Sequence, residues 1–436
     1  MSFRNPFKPV HLMIASIGGL VLGIGLGLLG RDGPDAFDNI TGALGPLVSI
    51  WLRALTIAAI ALVVTYIVTA ITRMRRKKEA GRMVGVAIVA HLALMLIAGL
   101  LSFASAGLFA FFPEPNIDMA LSSTDVPRPP SVDGSTGISG ILLSVFVDPV
   151  TAVVTGNVMA LILWSVVIGW LLSVLAPRIH DPIVAVFEWA TRVVQKGVMW
   201  LLIFMPVAVF HVALALTPDA GASLAGSLGA FLIVLTGIQI AMTAVLYPMA
   251  SVFGRVPLRR FAEAAIPSQI LAIGCRSSLA CLPTVVEGAR TLLLPAVVSE
   301  IIAPFSSGTM RLSQLASHPF TVCFIAFLYG IHLEPGALAL LLLGLLLLNY
   351  GTPGIPSAGI MTSLPLYLAL GIPIEGYVLV KAIDVVPDCF KTVLNVTEHL
   401  AITTVAARFH TAEPGDAMTM TEAALQPSVV QSAGNP

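Results

Sequence analysis

The residues with the greatest chemical potential in this chain lie close together near its end. Asp384, Asp388, Lys391, Thr392, Asn395 and His399 recur at steps of three and four, so a helix would present them on one face. They sit inside a long apolar stretch, Ile374 to Ala407. Ionisable groups in such a setting are costly and are kept for a task. Carboxylate, ammonium, amide and hydroxyl on one face suit recognition of a small charged solute. The same residues admit a plainer reading, in which Asp388 and Lys391 neutralise each other at i, i+3, or Arg276 pairs with Asp388. His399 adds a group that titrates near neutral pH, ~6.5 when unperturbed, with Glu398 and Asp384 one to four turns away. Proton relays in transporters are built from such residues. No nucleophile–base pair, phosphate-cradling glycine loop or metal-ligand spacing is visible, so an enzyme, a metal site and a cofactor are not expected.

The elements that must position these groups are membrane helices. Of 436 residues, 57% are apolar and only 11% charged, against ~25% charged in a soluble domain, and the mean hydropathy is +0.95. The 23 basic and 23 acidic residues balance, which leaves no basic patch for nucleic acid. Cys275, Cys281, Cys323 and Cys389 all fall in apolar segments and read as thiols, not a disulfide framework. The hydropathy places spans at about Val10–Leu29, Leu47–Ile71, Val84–Phe112, Ile138–Leu175 (with breaks at Pro149 and Gly156), Ile183–Leu216, Ser223–Phe253, Ala296–Leu328 and Ile374–Ala407. Basic residues gather in alternate loops: Arg4 and Lys8, then Arg73 to Lys78 with Arg82, then Arg178, then Arg255, Arg259 and Arg260. The loops at Arg31–Asp35, Pro113–Gly137 and Thr217–Asp219 lack such clusters. That asymmetry puts both termini in the cytoplasm of a multi-pass protein of the plasma membrane, a bacterial inner membrane.

Two further segments are too short to span. Ala337 to Leu348 is an apolar arm of twelve residues, or ~18 Å as a helix, against a hydrocarbon core of ~30 Å. It runs into Tyr350-Gly351-Thr352-Pro353-Gly354-Ile355-Pro356-Ser357-Ala358-Gly359, which no helix interior tolerates, and then into a second arm, Ile360 to Leu370. Ala262–Gly274 and Leu279–Leu294 form a similar pair around Cys275-Arg276-Ser277-Ser278. Both read as re-entrant hairpins, one entering from each side, and Ala296–Leu328 is interrupted at Pro304 and Ser306-Ser307-Gly308. Paired broken segments late in a chain point to a transporter's binding site.

Four of these stretches, taken in order, resemble the dicarboxylate/amino acid:cation symporter family of glutamate transporter homologues. Arg276-Ser277-Ser278-Leu279-Ala280-Cys281-Leu282-Pro283 is similar to the serine-rich tip of its first hairpin, and Ser306-Ser307-Gly308-Thr309 stands at its Asn-Met-Asp-Gly-Thr signature. Gly351-Thr352-Pro353-Gly354-Ile355-Pro356 is similar to the second hairpin tip, and Asp384, Asp388, Thr392 and Asn395-Val396-Thr397 to the last helix. The resemblance covers residues 10 to 408. It implies an all-α polytopic membrane protein of eight transmembrane helices plus two re-entrant helical hairpins, working as an elevator in a homotrimer. Residues 1–83 and 138–216 would form the scaffold. Residues 84–112 and 223–408 would form the moving transport domain, and 409–436 a disordered cytoplasmic tail.

The resemblance also implies roles. Asp388 would hold the amino group of an acidic amino acid or related dicarboxylate, and Asn395 its main-chain carboxylate. Lys391, with Thr392 beside it, stands where the family has an arginine for the distal carboxylate; lysine keeps the charge but loses the fork. Thr309 would donate to that carboxylate, and Arg276, Ser277, Ser278, Gly354 and Gly359 would close over the solute. Against this, Phe305, Ser306 and Ser307 replace the family's Asn, Met and Asp, and His399 replaces a cation-ligating Asp. The span-3 residues that help hold sodium fall near His91, Leu92 and Met95. A hard cation wants several oxygen ligands, so the reading is a coupling cation that is a proton before sodium. Asp384, His399, Glu398, Ser306 and Ser307 would be the coupling residues, with Glu398 the weaker candidate because it could face headgroups or scaffold. Gly351 and Thr352 could still hold one sodium through their carbonyls. Arg311 would pair with Glu300 or a backbone carbonyl, or serve function directly. An ordinary sodium-coupled symporter, or a sensor or anion channel on the same scaffold, stays as the alternative.

Overall fold

The computed structural model describes residues 9–29, 35–76, 81–112, 147–155, 158–349, 363–364, 366–368 and 370–410. Every regular element among them is helical. In chain order these are α1 (Pro9–Leu29), α2 (Asp35–Arg76), α3 (Gly81–Ala104, extended by a 3₁₀ stretch Ser105–Phe111), α4 (Pro149–Thr155) and α5 (Val158–Val174). Next come α6 (Pro177–Leu201, followed by a 3₁₀ turn Leu202–Phe204), α7 (Met205–Gly254), α8 (Leu258–Cys275) and α9 (Leu282–Thr291). The last five are α10 (Ala296–Thr309), α11 (Leu312–Leu328), α12 (Pro335–Asn349), α13 (Ile374–Ile383) and α14 (Val385–Ala407). Two stretches, Arg82–Phe109 and Ser223–Gly254, are each long and apolar enough to cross a bilayer by themselves.

α14 is the centre of the packing, touching α3, α7, α8, α9, α10, α11 and α13. Its residues from Leu394 to Ala406 are buried without a break, as expected of a helix enclosed on all sides rather than one with a single wet face. A second grouping joins α2 to α5 and α6. α7 lies against both, and α1 runs along its first half. That contact needs small residues: a Cβ on Gly19 would sit 2.5 Å from the Pro206 carbonyl oxygen, and one on Gly23 2.7 Å from that of Phe210. In the core, Phe109, Phe112, Phe231, Phe320, Phe324 and Phe327 interlock α3's extension with α7 and α11, with Phe231 and Phe324 at 4.5 Å between ring centroids.

Several boundaries differ from the hydropathy reading. The turn expected at Thr217-Pro218-Asp219 is absorbed into α7, where Thr217 Oγ1 donates to the Ala213 carbonyl at 2.5 Å. Thr-Pro-Asp suits a first helical turn as well as a loop, so composition does not separate the two. The cytoplasmic loop expected at Pro177–Pro182 forms the opening turns of α6, and α6 gives way to 3₁₀ at Leu202. The break expected at Ser306-Ser307-Gly308 falls later, at Met310–Arg311, where the backbone is extended. The hydroxyls of Ser306 and Thr309 donate back to the carbonyls of Ala303 and Phe305, so they extend α10 rather than end it. The last span is two helices, not one, and they meet at Asp384. Pro387 has no N–H for the carbonyl four residues back, which opens the ladder there. A bend at 147–148 precedes the helix that starts at Pro149, and the break expected at Gly156 lies outside the described residues.

Candidate functional site

α8 and α9 pack on each other around a short turn, as the two short arms suggest. Arg276 makes that turn with φ 49° and ψ 34°, a left-handed conformation uncommon for a residue with a Cβ. Its N–H closes the helix on the Ala272 carbonyl at 2.9 Å. The turn carries the guanidinium towards α14, where Nη1 lies 3.7 Å from Asp388 Oδ2. Ser277 Oγ accepts from the Ala280 N–H at 3.3 Å and Ser278 is buried. Cys275 and Cys281 flank the turn with their sulfurs 3.4 Å apart, both as free thiols.

Facing this turn, the α13–α14 junction holds three more charges. Asp384 accepts from Lys381 Nζ at 2.8 Å through Oδ2 and from Lys391 Nζ through Oδ1. The pairing of Asp388 with Lys391 therefore gives way to Asp384–Lys391, whereas Arg276–Asp388 is present. Lys381 also stands 5.7 Å from the centre of the Tyr377 ring. Thr392 Oγ1 donates to the Asp388 carbonyl at 2.9 Å, and Asn395 Oδ1 accepts the Ser313 N–H at 3.1 Å. Neither Thr392 nor Asn395 was expected to be engaged by its own or a neighbouring helix, yet both stay on the face that carries Asp388.

A second cluster lies deeper. Asp388 and His399 are eleven residues apart, or ~16 Å along a helix. At the Met310–Arg311 break two helix ends converge: the carbonyl end of α10 and the N–H end of α11. Arg311 caps the first, donating from Nη1 to Met310 O at 2.6 Å and from Nη2 to Ser307 O at 2.7 Å. Glu398 caps the second, accepting the Leu312 N–H at 3.1 Å. Cation at the carbonyl end and anion at the amide end is the pairing the helix dipoles favour. The other Glu398 oxygen is hydrogen-bonded to His91 Nδ1, with neither side chain exposed. His91 Nε2 in turn meets Asn349 Nδ2 at 2.7 Å, at the last residue of α12. His399 Nε2 donates to Met310 O and its Nδ1 faces Ser307 Oγ, each at 3.1 Å.

Of the residues expected to act, the structure thus gathers Arg276, Asp388, Lys391 and Asp384 at one level and Ser307, His399 and Glu398 at another. Ser306 is turned back on its own helix, and Thr309 likewise spends its hydroxyl on Phe305. Glu398 is corrected from a peripheral to a central position: it is wholly buried and joins three elements. Arg311 takes backbone carbonyls, while Glu300 is exposed. Gly351, Thr352, Gly354 and Gly359 lie outside the described residues. Three contributors went unread. Lys381 obeys the three-residue spacing from Asp384 and could have been found by it. Asn349 is the lone amide ending an apolar arm. His318 is buried and hydrogen-bonded to Tyr367 at 2.8 Å.

The described residues form an all-helical core around a charge-bearing last helix, and residues 12–409 match the model of the sodium:dicarboxylate symporter family. The chain belongs to that family of membrane transporters. It is 24% identical over 398 residues to the proton/glutamate-aspartate symporter of Escherichia coli, covering 89% of this chain and 91% of that one. It is 23% identical over 386 residues to a proton/sodium-glutamate symport protein of Bacillus caldotenax, covering 87% of this chain and 89% of the relative. It is 25% identical over 285 residues to a serine/threonine transporter of Streptococcus agalactiae, covering 64% of this chain and 66% of the relative.

Proposed function

We propose that this protein is a proton-coupled symporter of acidic amino acids, aspartate or glutamate, working by an elevator movement. The observation that carries the substrate class is the charge array at the first hairpin tip. Arg276, Lys381 and Lys391 face Asp384 and Asp388, and an acidic amino acid brings two carboxylates and one ammonium to meet them. In this reading Asp388 takes the ammonium after releasing Arg276, and Lys391 takes the distal carboxylate. A carboxylate at Asp388 disfavours a dicarboxylate that has no amine. Resemblance to the glutamate-aspartate symporter of E. coli supports the same class.

The coupling reading rests on the deeper cluster. Sodium would need free oxygen atoms there. Phe305 offers none in its side chain, the Ser307 and Met310 carbonyls already receive Arg311, and Ser307 Oγ is engaged with His399. A fixed guanidinium thus stands where a loose cation would bind. His91, Glu398 and His399 are buried groups able to take and release a proton. Among the described residues no cluster of three His, Cys, Asp or Glu side chains could hold a metal ion.

The moving unit would be 84–112 with 223–408, carried past a scaffold of 1–83 and 138–216 in a homotrimer of the bacterial inner membrane, with both termini cytoplasmic. The grouping of α2 with α5 and α6, apart from the α14-centred packing, supports that division, while α7 runs unbroken from Met205 to Gly254 across its boundary. Uptake into proteoliposomes tests the whole proposal. A proton gradient alone should drive aspartate accumulation. Accumulation that requires inward sodium and ignores pH would return the protein to sodium coupling, and binding without any accumulation would make it a sensor.

A further inference from the structure

We propose that Lys381 sets the charge preference of the substrate pocket by neutralising Asp384, which leaves the charge of Lys391 for the solute. The inference rests on the acidic-substrate reading and adds to it a residue that reading does not use. Asp384 offers two carboxylate oxygens, and each is held by a different ammonium: Oδ2 by Lys381 at 2.8 Å and Oδ1 by Lys391. Side-chain exposure is 7% for Lys381 and 12% for both Asp384 and Lys391, so little water screens the three.

Count the charges. Without Lys381, Arg276 and Lys391 would balance Asp384 and Asp388, and the pocket would be neutral. With it the array carries one excess positive charge, and an acidic amino acid carries one net negative charge. The match is to that solute: a neutral amino acid would leave the excess uncompensated, and a dianion would overshoot it. Lys381 is a positioning residue in this scheme, since it acts through Asp384. Its own place is fixed by aromatic walls. It stands over the Tyr377 ring, Tyr377 meets Tyr367 edge-on at 5.2 Å, and the Tyr377 hydroxyl pairs with Ser363 Oγ at 3.1 Å.

The test is binding of L-aspartate and L-serine to purified full-length protein, read as the ratio of their affinities. Wild type should favour aspartate. Lys381→Met should lower the aspartate:serine ratio at least ~10-fold, the scale of a close charge pair lost in a desolvated site. Lys381→Arg should keep the ratio within a few-fold. The double variant Lys381→Met, Asp384→Asn removes both charges, restores one excess positive charge and should restore the ratio. It carries the same single excess positive charge as wild type, now on Lys391, so it decides the matter even if Lys381→Met does not fold. An unchanged ratio in Lys381→Met, or a double variant that stays without preference, overturns the role of Lys381 alone. Wild type that prefers serine overturns the acidic-substrate reading as well.

Discussion

At the residue scale, the two aspartates of the last helices have unlike surroundings and should have unlike mutant phenotypes. Asp388 faces a guanidinium at 3.7 Å, a distance at which a ligand ammonium can compete. Asp384 is clamped by two lysines and is not free to leave. Asp388→Ala should abolish amino-acid binding, measured by calorimetry on purified protein, with a fall in Tm beside it because Arg276, 10% exposed, loses its partner. Lys391→Ala should weaken aspartate by at least ~10-fold and serine by less, since a buried charge that loses its partner costs several kcal/mol. Equal affinities of wild type for aspartate and an uncharged analogue would contradict both expectations. This much was legible in the sequence, because spacing on one helix is a local property. The partner of Glu398 was not: His91 lies 307 residues away, and no periodicity links two helices that distant.

At the element scale, the Met310–Arg311 break is held by groups of opposite sign at two helix ends. Arg311→Met would remove the side-chain donor from the Ser307 carbonyl and one of the two donors from the Met310 carbonyl, which keeps His399, and would take the guanidinium from near Glu398. A loss of about 1–3 kcal/mol follows from leaving a buried acceptor without its donor. It should appear as a lower Tm in detergent, where a neutral shift would show the cap to be dispensable. Gly23→Leu tests a different contact. Its side chain would meet the Phe210 carbonyl oxygen and the Ala213 Cβ, both under 3 Å from an added Cβ, so α1 must separate from α7 and Tm should fall. The two short arms around Arg276 were readable because chain length against bilayer thickness is a hard constraint, whereas the glycine–proline turn at 351–359 lies outside the described residues. The site of the break in the α10–α11 span was not readable. Serine and threonine look like helix breakers in a sequence, yet inside an apolar bundle their hydroxyls bond back to the helix and extend it. Pro387, by contrast, carried a signal for the Asp384 junction that the hydropathy of the whole span concealed.

At the scale of the whole molecule, two charged levels share α14. In the proposed reading the upper level would recognise solute and the lower one would hold the proton, with one helix joining the two. His399→Ala should flatten the pH dependence of uptake in proteoliposomes while aspartate binding at fixed pH changes little. Loss of binding with an unaltered pH profile would place His399 in the solute pocket instead. Overall class and polytopic character were plain from composition, since 11% charge over 436 residues cannot cover a soluble surface. The enclosure of α14 by seven other helices was not, because burial on every side erases the amphipathic signal from which packing is read.

The amide of Asn349 has a consequence of another kind. It turns its nitrogen to His91, and its oxygen has no hydrogen-bond partner among the described residues. A half-turn about its last bond would exchange the two and offer an acceptor in place of a donor. A neutral imidazole needs the donor, and an imidazolium needs the acceptor. Asn349 ends α12, the arm expected to open the second hairpin, so any displacement of that arm alters what His91 sees. Thermodynamic reciprocity then binds the two events: if a proton changes the arm's preferred position, a solute that fixes the arm must change the proton's affinity by the same factor. Adding aspartate to lightly buffered protein should therefore shift the pH of the solution measurably. Asn349→Leu should silence that shift while leaving the solute bound.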